Sequence, residues 1–356
     1  MIRILSVVLG FLLLGIAWWD AFSTVVLPRT LGAVFSPARA FYLVGWRIWR
    51  PVGFLIDDRR RRQIFLTSFG PLSVFFLLGL WAVMILVSFA LLHLGFKTQL
   101  NADAGIGSFL YLSGTTFFTL GLGDVVPLNP LGRGLVVTEV GMGIIFLAMI
   151  IGYLPLLDQA YAEREVGVLL LESRAGSPQS AVRLLRRFCR PESAGVLATI
   201  LQEGERWAAE LSQSHNAHPV LALYRSQHLD QSWLISLTTL LDACALLIVA
   251  RSEVPAREAR AAFRMGVIAA VDLARMLGPT PGHEPGERLP PGAFQRLCAA
   301  LERSGVVLAG EQEAEVRLTK LRALYEPSVL ALSARLLVPL PVWVPALEED
   351  EDERIF

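Results

Sequence analysis

Only three cysteines, Cys189, Cys244 and Cys298, occur in the 356 residues. They stand far apart with no C-x-x-C pair. That excludes a disulfide framework or zinc ribbon and leaves buried or free thiols in a reducing compartment. Net charge of either sign is also missing. The chain has 32 Lys+Arg and 32 Asp+Glu, a formal charge of zero, so no nucleic-acid partner is expected. Lysine is nearly absent: Lys97 and Lys320 stand against 30 arginines, a bias that fits a GC-rich bacterial source. There is no G-x-S-x-G elbow, no P-loop and no G-x-G-x-x-G after a strand. These absences leave no basis for an enzyme or a nucleotide cofactor. Strand alternation is lacking too, so an all-α fold is expected.

What the chain has is apolar sequence. Hydrophobic residues make up 54% and mean hydropathy is +0.52. That is too apolar for an ordinary soluble protein and predicts membrane spans joined to something else. The halves differ. Residues 1–160 carry 11 Lys+Arg and 7 Asp+Glu, a balance of +4, and residues 161–356 carry 21 and 25, a balance of −4.

Residues 4–27 form the first apolar run, long enough to cross a bilayer as a helix. A cleaved signal peptide is the rival reading. The run continues through Trp18-Trp19 to Val25-Val26-Leu27 without a clear small-x-small site, which favours a span. Asp20 inside it needs a partner; an inner-interface position reaching Arg29 would supply one. Residues 28–63 hold eight arginines, at 29, 39, 47, 50, 59, 60, 61 and 62. The positive-inside rule places this stretch in the cytoplasm. Phe41, Tyr42, Trp46, Trp49 and Phe54 are interleaved with Arg39, Arg47 and Arg50, as in a helix lying at headgroup depth. Such a mixture also suits RNA, but two adjacent spans make lipid the better partner.

Residues 64–95 form a second, long span with His93 at its outer end, where a lone histidine is read as an interfacial residue rather than a pH sensor. Residues 96–103 are polar. Residues 105–118 are apolar but too short to cross. Residues 133–157 form a third span. It contains Gly141 and Gly143, and Pro155 near its inner end should bend or end the helix. Glu139, in this span, needs water, a donor or a proton. The segment 96–133 carries two basic residues against eight in 28–63. This asymmetry puts the N-terminus outside, residues 28–63 inside, residues 96–133 outside and the C-terminal half inside.

Between the short apolar segment and the third span stand Thr116-Phe117-Phe118-Thr119-Leu120-Gly121-Leu122-Gly123-Asp124, reading T-x-x-T-x-G-x-G-D. A bland alternative is a Gly-rich turn ending in Asp. The pattern resembles the selectivity filter of the potassium-channel pore family, with a Gly-Leu-Gly-Asp ending similar to second filters of two-pore-domain members. The chemistry matches the residue types. A potassium ion trades its water shell for oxygens, and glycines at alternating positions let consecutive carbonyls face one axis.

The resemblance covers residues 64–157: outer helix, re-entrant pore helix, filter and inner helix. Pro127 and Gly132-Arg133 add to it. It implies that Thr119, Leu120, Gly121, Leu122 and Gly123 coordinate K+ as the permeant ion and that Asp124 shapes the outer mouth. One filter per chain implies a homotetramer. The resemblance implies a gating hinge at Gly143, which stands at the spacing of the family's hinge glycine, with close helix packing as the alternative; Glu139 and Pro155 join it as gating candidates on their own chemistry. The family's usual tyrosine is Leu122 here. Its lost hydroxyl bond should soften the filter, and Phe117 and Phe118 could offset this by packing on Leu122. No Arg-rich fourth helix and no nucleotide-binding domain accompany the pore.

Residues 158–345 change character, with apolar positions at helical spacing. Helices are expected to open at Ser177-Pro178, Pro191 and Pro255, with two more at about 291–308 and 311–337. A Pro/Gly loop covers 278–292. Leu229–Arg251 is apolar enough to be mistaken for a fourth span, but Asp242 interrupts it and Arg225, His228 and Asp230 flank it, so a core helix is expected. His215-x-x-His218 with His228 could be drawn as a metal site. A helix end near Pro219 argues against it. Residues 346–356 form an acidic tail.

The expected organisation is therefore residues 1–63 as an N-terminal span and Arg-rich interfacial segment, 64–157 as the pore, 158–345 as a cytoplasmic helical domain and 346–356 as the tail. The expected function is a potassium-selective channel of a bacterial inner membrane, without cofactor. An unidentified cytoplasmic ligand or protein would act on the helical domain. The rival readings are a weakly selective cation channel and a non-conducting membrane-anchored sensor or scaffold.

Overall fold

A computed structural model describes the chain except for residues 27–36, 227–230, 251–254, 279–287, 291, 304–305, 307, 309 and 344–356. Among the described residues the protein is all-α; the only β pairings are the isolated bridges Leu100–Pro127 and Ala250–Leu308. Two compact units divide between Gln159 and Ala160. Arg29, His228, most of the 278–292 loop and the acidic tail lie outside the described residues.

In the first unit, α1 (Ile2–Val25) packs on α3 (Arg59–Gly95). It does so through Ser6, Gly10, Leu14, Ala17, Ala21 and Thr24, spaced three or four apart on one face. Small residues let two apolar helices approach where lipid supplies no hydrophobic drive between them. Gly10 lies against Leu92 and Asp20 against Trp81, so the two helices run antiparallel and the N-terminus lies at the Gly95 end of α3. The expected reach of Asp20 to Arg29 falls outside the described residues, but two other partners of Asp20 are described. Asp20 is buried in the helix pair, where Oδ2 accepts from the Trp81 indole at 2.8 Å and from the Ala38 amide at 2.9 Å.

α2 (Pro37–Phe54) leans on the start of α3. Trp49 stacks on Phe65 with centroids 4.3 Å apart, and its indole donates to the Phe65 carbonyl at 3.0 Å. Val44, Ile48 and Val52 on α2 stay exposed. Asp58 caps α3 by accepting from the Arg61 amide at 2.6 Å.

α4 (Ile106–Phe117) has 12 residues, about 18 Å, too short for a bilayer core of about 30 Å. α5 (Pro130–Ala175) has 46 residues, about 69 Å. The expected third span at 133–157 is thus the first part of a much longer helix, and Pro155 does not end it. A proline removes one hydrogen bond, which a long apolar helix tolerates when its neighbours re-satisfy the freed carbonyl. The stop comes at Gly176, whose positive φ of 80° suits a helix terminus. Helices α1, α3 and α5 are each long and apolar enough to cross a membrane.

The second unit is built on α8 (Trp233–Val249), buried at every position except Ile235 and Ile248. A helix that is apolar all round belongs in a core; here α9 (Ala256–Leu277) and α11 (Glu311–Leu336) cover it. α6 (Ala181–Phe188) also packs on α8, α7 (Ala194–Ala217) on α9, and α10 (Ala293–Arg303) on α6. The helix starts expected after Pro178, Pro191 and Pro255 fall within a few residues of these elements. Asp242, inside α8, is matched by two groups through three hydrogen bonds. Arg288 donates to both its oxygens, at 3.1 and 2.5 Å, and the Tyr325 hydroxyl donates at 2.6 Å. Glu326 lies 3.7 Å from Arg288 and 2.8 Å from Arg322. The Trp343 ring sits 5.4 Å from Arg288 and 5.6 Å from Arg322.

His215 is a core residue, its ring 5.3 Å from Trp233 and its Nδ1 2.9 Å from the Leu211 carbonyl. No metal-holding cluster occurs among the described residues. Burial first, then the charge of Arg164, holds the His215 pKa well below the ordinary histidine value of 6.5. The unfolded chain takes up this proton near pH about 6.5 and the folded unit does not. Stability should therefore fall as pH drops below about 6.5. A lower melting temperature at pH about 5.5 than at about 7 is expected in wild type, with a shallower dependence in His215→Gln. Equal slopes would show that other groups govern acid stability.

Candidate functional site

The residues of the T-x-x-T-x-G-x-G-D stretch leave α4 through a tight reversal. Thr119 N–H donates to the Thr116 carbonyl at 3.0 Å, and Leu120 N–H to the Thr115 carbonyl at 2.8 Å. Beyond it, φ is +56° at Thr119, +54° at Gly121 and +77° at Gly123, whereas Leu120 and Leu122 are not in the positive region. Glycine enters that region without steric cost. A β-branched residue does not, so Thr119 carries backbone strain of the kind that clusters at functional sites. The alternating sign of φ is what an extended segment needs to turn successive carbonyls toward one side. Phe118 to Asp124 are all exposed in the single chain.

The Asp124 end of this segment is tied down by residues that sequence reasoning missed. The Tyr111 hydroxyl, on α4, donates to Asp124 Oδ2 at 2.7 Å. The Asn101 amide donates to the Asp124 carbonyl, and its oxygen accepts from Val126 N–H, both at 2.8 Å. Leu128 N–H donates to Gln99 O at 2.8 Å. Neither Tyr111 nor Asn101 belongs to the nine-residue pattern, and both lie in segments whose local sequence carries no marker for them. Leu122 is 63% exposed, so Phe117 and Phe118 leave most of it uncovered. The Phe117 ring instead lies 5.5 Å from Phe146 on α5. The support present at the Asp124 end of the segment is therefore a tyrosine on the short helix.

The three gating candidates fall at different places on α5. Gly143 faces the end of α4: a Cβ there would run into the Phe117 carbonyl oxygen, so only glycine permits this approach. Pro155 is exposed within the continuous helix. Glu139 is fully buried, with Oε1 bonded to the Ser113 hydroxyl of α4, and the same hydroxyl lies 3.0 Å from the Leu86 carbonyl of α3. His93, in the last turn of α3, is buried. Its Nδ1 pairs with Thr98 Oγ1 at 2.8 Å and its ring stacks on Phe109 at 6.0 Å.

In the second unit, the last part of α5 carries a buried arginine that the sequence did not single out. Arg164 donates to the Leu221 carbonyl at 2.8 Å, the Tyr224 carbonyl at 3.0 Å and Glu165 at 3.0 Å. The Trp207 indole of α7 donates to the Arg164 carbonyl at 3.1 Å. Beside Trp207 is a cavity of about 590 Å³ between α5 and α7, with Leu170, Ile200 and Leu240 on its apolar wall and Glu163 and Arg174 among its polar lining.

Residues 73–155 match a family described as an ion channel. The chain is also 22% identical over 186 residues to a Bacillus subtilis (strain 168) protein described as the uncharacterized membrane protein YdjJ. That similarity covers 51% of this chain and 54% of the relative, so the chain spans about half the relative's length. No solved structure matches the chain.

Proposed function

We propose that the protein is a potassium-selective channel of a bacterial inner membrane, assembled from four copies. The observation that carries this reading is the alternation of positive φ at Thr119, Gly121 and Gly123 on a T-x-x-T-x-G-x-G-D segment. Thr119 to Gly123 offer oxygens to K+, and Asp124, held by Tyr111 and Asn101, shapes the outer mouth. One chain contributes one such segment and leaves it exposed, so closure around an ion needs symmetric copies. The ion-channel match over residues 73–155 supports the same reading.

The N-terminus and the filter lie outside and the eight arginines of 28–63 inside, following the positive-inside rule. α2, with its exposed apolar residues and Arg47 and Arg50, rests at the inner headgroups. Arg164 and Trp207 hold the end of α5 within the helical unit. A cytoplasmic ligand or protein there would act on α5, and the cavity beside Trp207 is a place for a small one. No cofactor takes part, because conduction is passive.

Purified full-length protein in liposomes should carry potassium. Native mass spectrometry in detergent should give four copies. Reversal potentials should favour potassium over sodium, with sodium exclusion weakening at low potassium because Leu122 lacks the bracing hydroxyl. Absence of flux from correctly inserted protein, or a dimer as the largest species, would overturn the channel reading. Equal permeability to both ions would leave a weakly selective channel.

A further inference from the structure

Ser113 has one hydroxyl hydrogen and two oxygens within reach, on two different spans. One is the Leu86 carbonyl of α3 at 3.0 Å, the other Oε1 of Glu139 on α5. A single hydroxyl cannot donate fully to both, and a carboxylate has no hydrogen to give. A carboxylic acid does. With Glu139 as donor the chain closes: Glu139 O–H to Ser113 Oγ, and Ser113 O–H to the Leu86 carbonyl.

The surroundings fit that assignment. Ser113 and Glu139 are fully buried, and Glu139 Oε2 makes no hydrogen bond. A buried carboxylate with one oxygen unbonded is costly unless a cation is beside it. The titratable and charged groups on the packed elements have other positions. His93 on α3 pairs with Thr98, Tyr111 on α4 with Asp124, and Arg133 on α5 with the Pro127 carbonyl, while Lys97 is exposed.

From this geometry we infer that Glu139 is a positioning residue, acting as a neutral donor through Ser113 to hold the short helix α4 against both α3 and α5. α4 ends where the filter segment begins, so the relay fixes the support on which the filter stands. Loss of the Glu139 proton would turn the Ser113 hydrogen toward Glu139 and release the tie to Leu86. The inference rests on the channel reading for its effect on conduction, but not for the hydrogen-bond chain itself.

The test uses the full chain reconstituted in liposomes. Infrared difference spectra of wild type against Glu139→Gln at neutral pH should show a protonated-carboxyl stretch, shifted in D2O, present only in wild type. Absence of that difference band overturns the relay, whatever the flux. Potassium flux of wild type should change several-fold as pH rises and the proton is lost. Glu139→Gln, whose amide still donates to Ser113, should keep the low-pH behaviour throughout. Ser113→Ala, which breaks the chain without touching the carboxyl, should alter flux at every pH. Identical pH profiles for wild type and Glu139→Gln overturn the positioning role. Wild-type protein without flux overturns the channel reading instead, and the infrared band still decides the relay.

Discussion

Replacing Gly121 with alanine should abolish potassium flux while leaving the protein inserted and assembled. A Cβ at this position meets no atom within 4 Å in the single chain, so no clash within it opposes the change. The cost lies in the backbone, because φ is +54°. Holding an L-residue in the left-handed region costs about 1–2 kcal/mol. Four copies at about 1 kcal/mol give about 4 kcal/mol, roughly a thousandfold in the population of conducting filters. The outcome is read as liposome flux, with native mass spectrometry as the control for assembly. Near-normal flux through an intact Gly121→Ala tetramer would remove the filter assignment, since the positive φ would then serve only a turn.

Arg288→Ala should produce the largest loss of stability. Arg288 and Asp242 are both nearly inaccessible, and Glu326 beside them is largely buried. Truncating the arginine removes the cation paired with Asp242, leaving that buried carboxylate with the Tyr325 hydroxyl, while Glu326 keeps Arg322. Breaking a buried pair in this way costs about 3–5 kcal/mol. A domain has only about 5–15 kcal/mol in all. For a unit of this size the melting temperature should drop by about 10 °C. Burial already raises the Glu326 pKa, and Arg322 and Arg288 oppose the rise. Removing Arg288 weakens that opposition and pushes Glu326 further toward its neutral form. Thermal unfolding followed by circular dichroism is the measurement. The double variant Asp242→Ala/Arg288→Ala should lose less than the sum of the two single variants. Additive losses would mean that the two groups act separately.

The parts legible in the sequence are those encoded locally. The nine-residue pattern is contiguous, so its backbone demand can be read without a partner. The apolar lengths of α1 and α3 and the helix starts near Pro191 and Pro255 are of the same kind. α8 was readable as a core helix because a charge interrupts it and charges flank it. The partners of buried polar groups were not legible. Asp20 meets Trp81 from 61 residues away, Ser113 meets Glu139 from 26, and Asp242 meets Tyr325 from 83. No spacing rule connects such pairs; only packing does. Of the two outcomes expected at Pro155, a bend or an end, the end does not occur: a proline removes one backbone hydrogen bond, and α5 runs on through Ala175 to the positive φ of Gly176.

The unbroken course of α5 also sets an angular constraint. Each residue of an α-helix advances the chain by about 100°. A flexible linker absorbs one added or deleted residue without consequence, but a continuous helix turns everything beyond it by that angle. Between Gly132, which meets Thr98, and Gly143, which meets Phe117, the number of residues is therefore a phase as well as a length. Substitutions along this stretch are tolerated or not by their packing, one at a time. Insertions are judged by rotation, and only those close to whole turns leave both ends facing their partners.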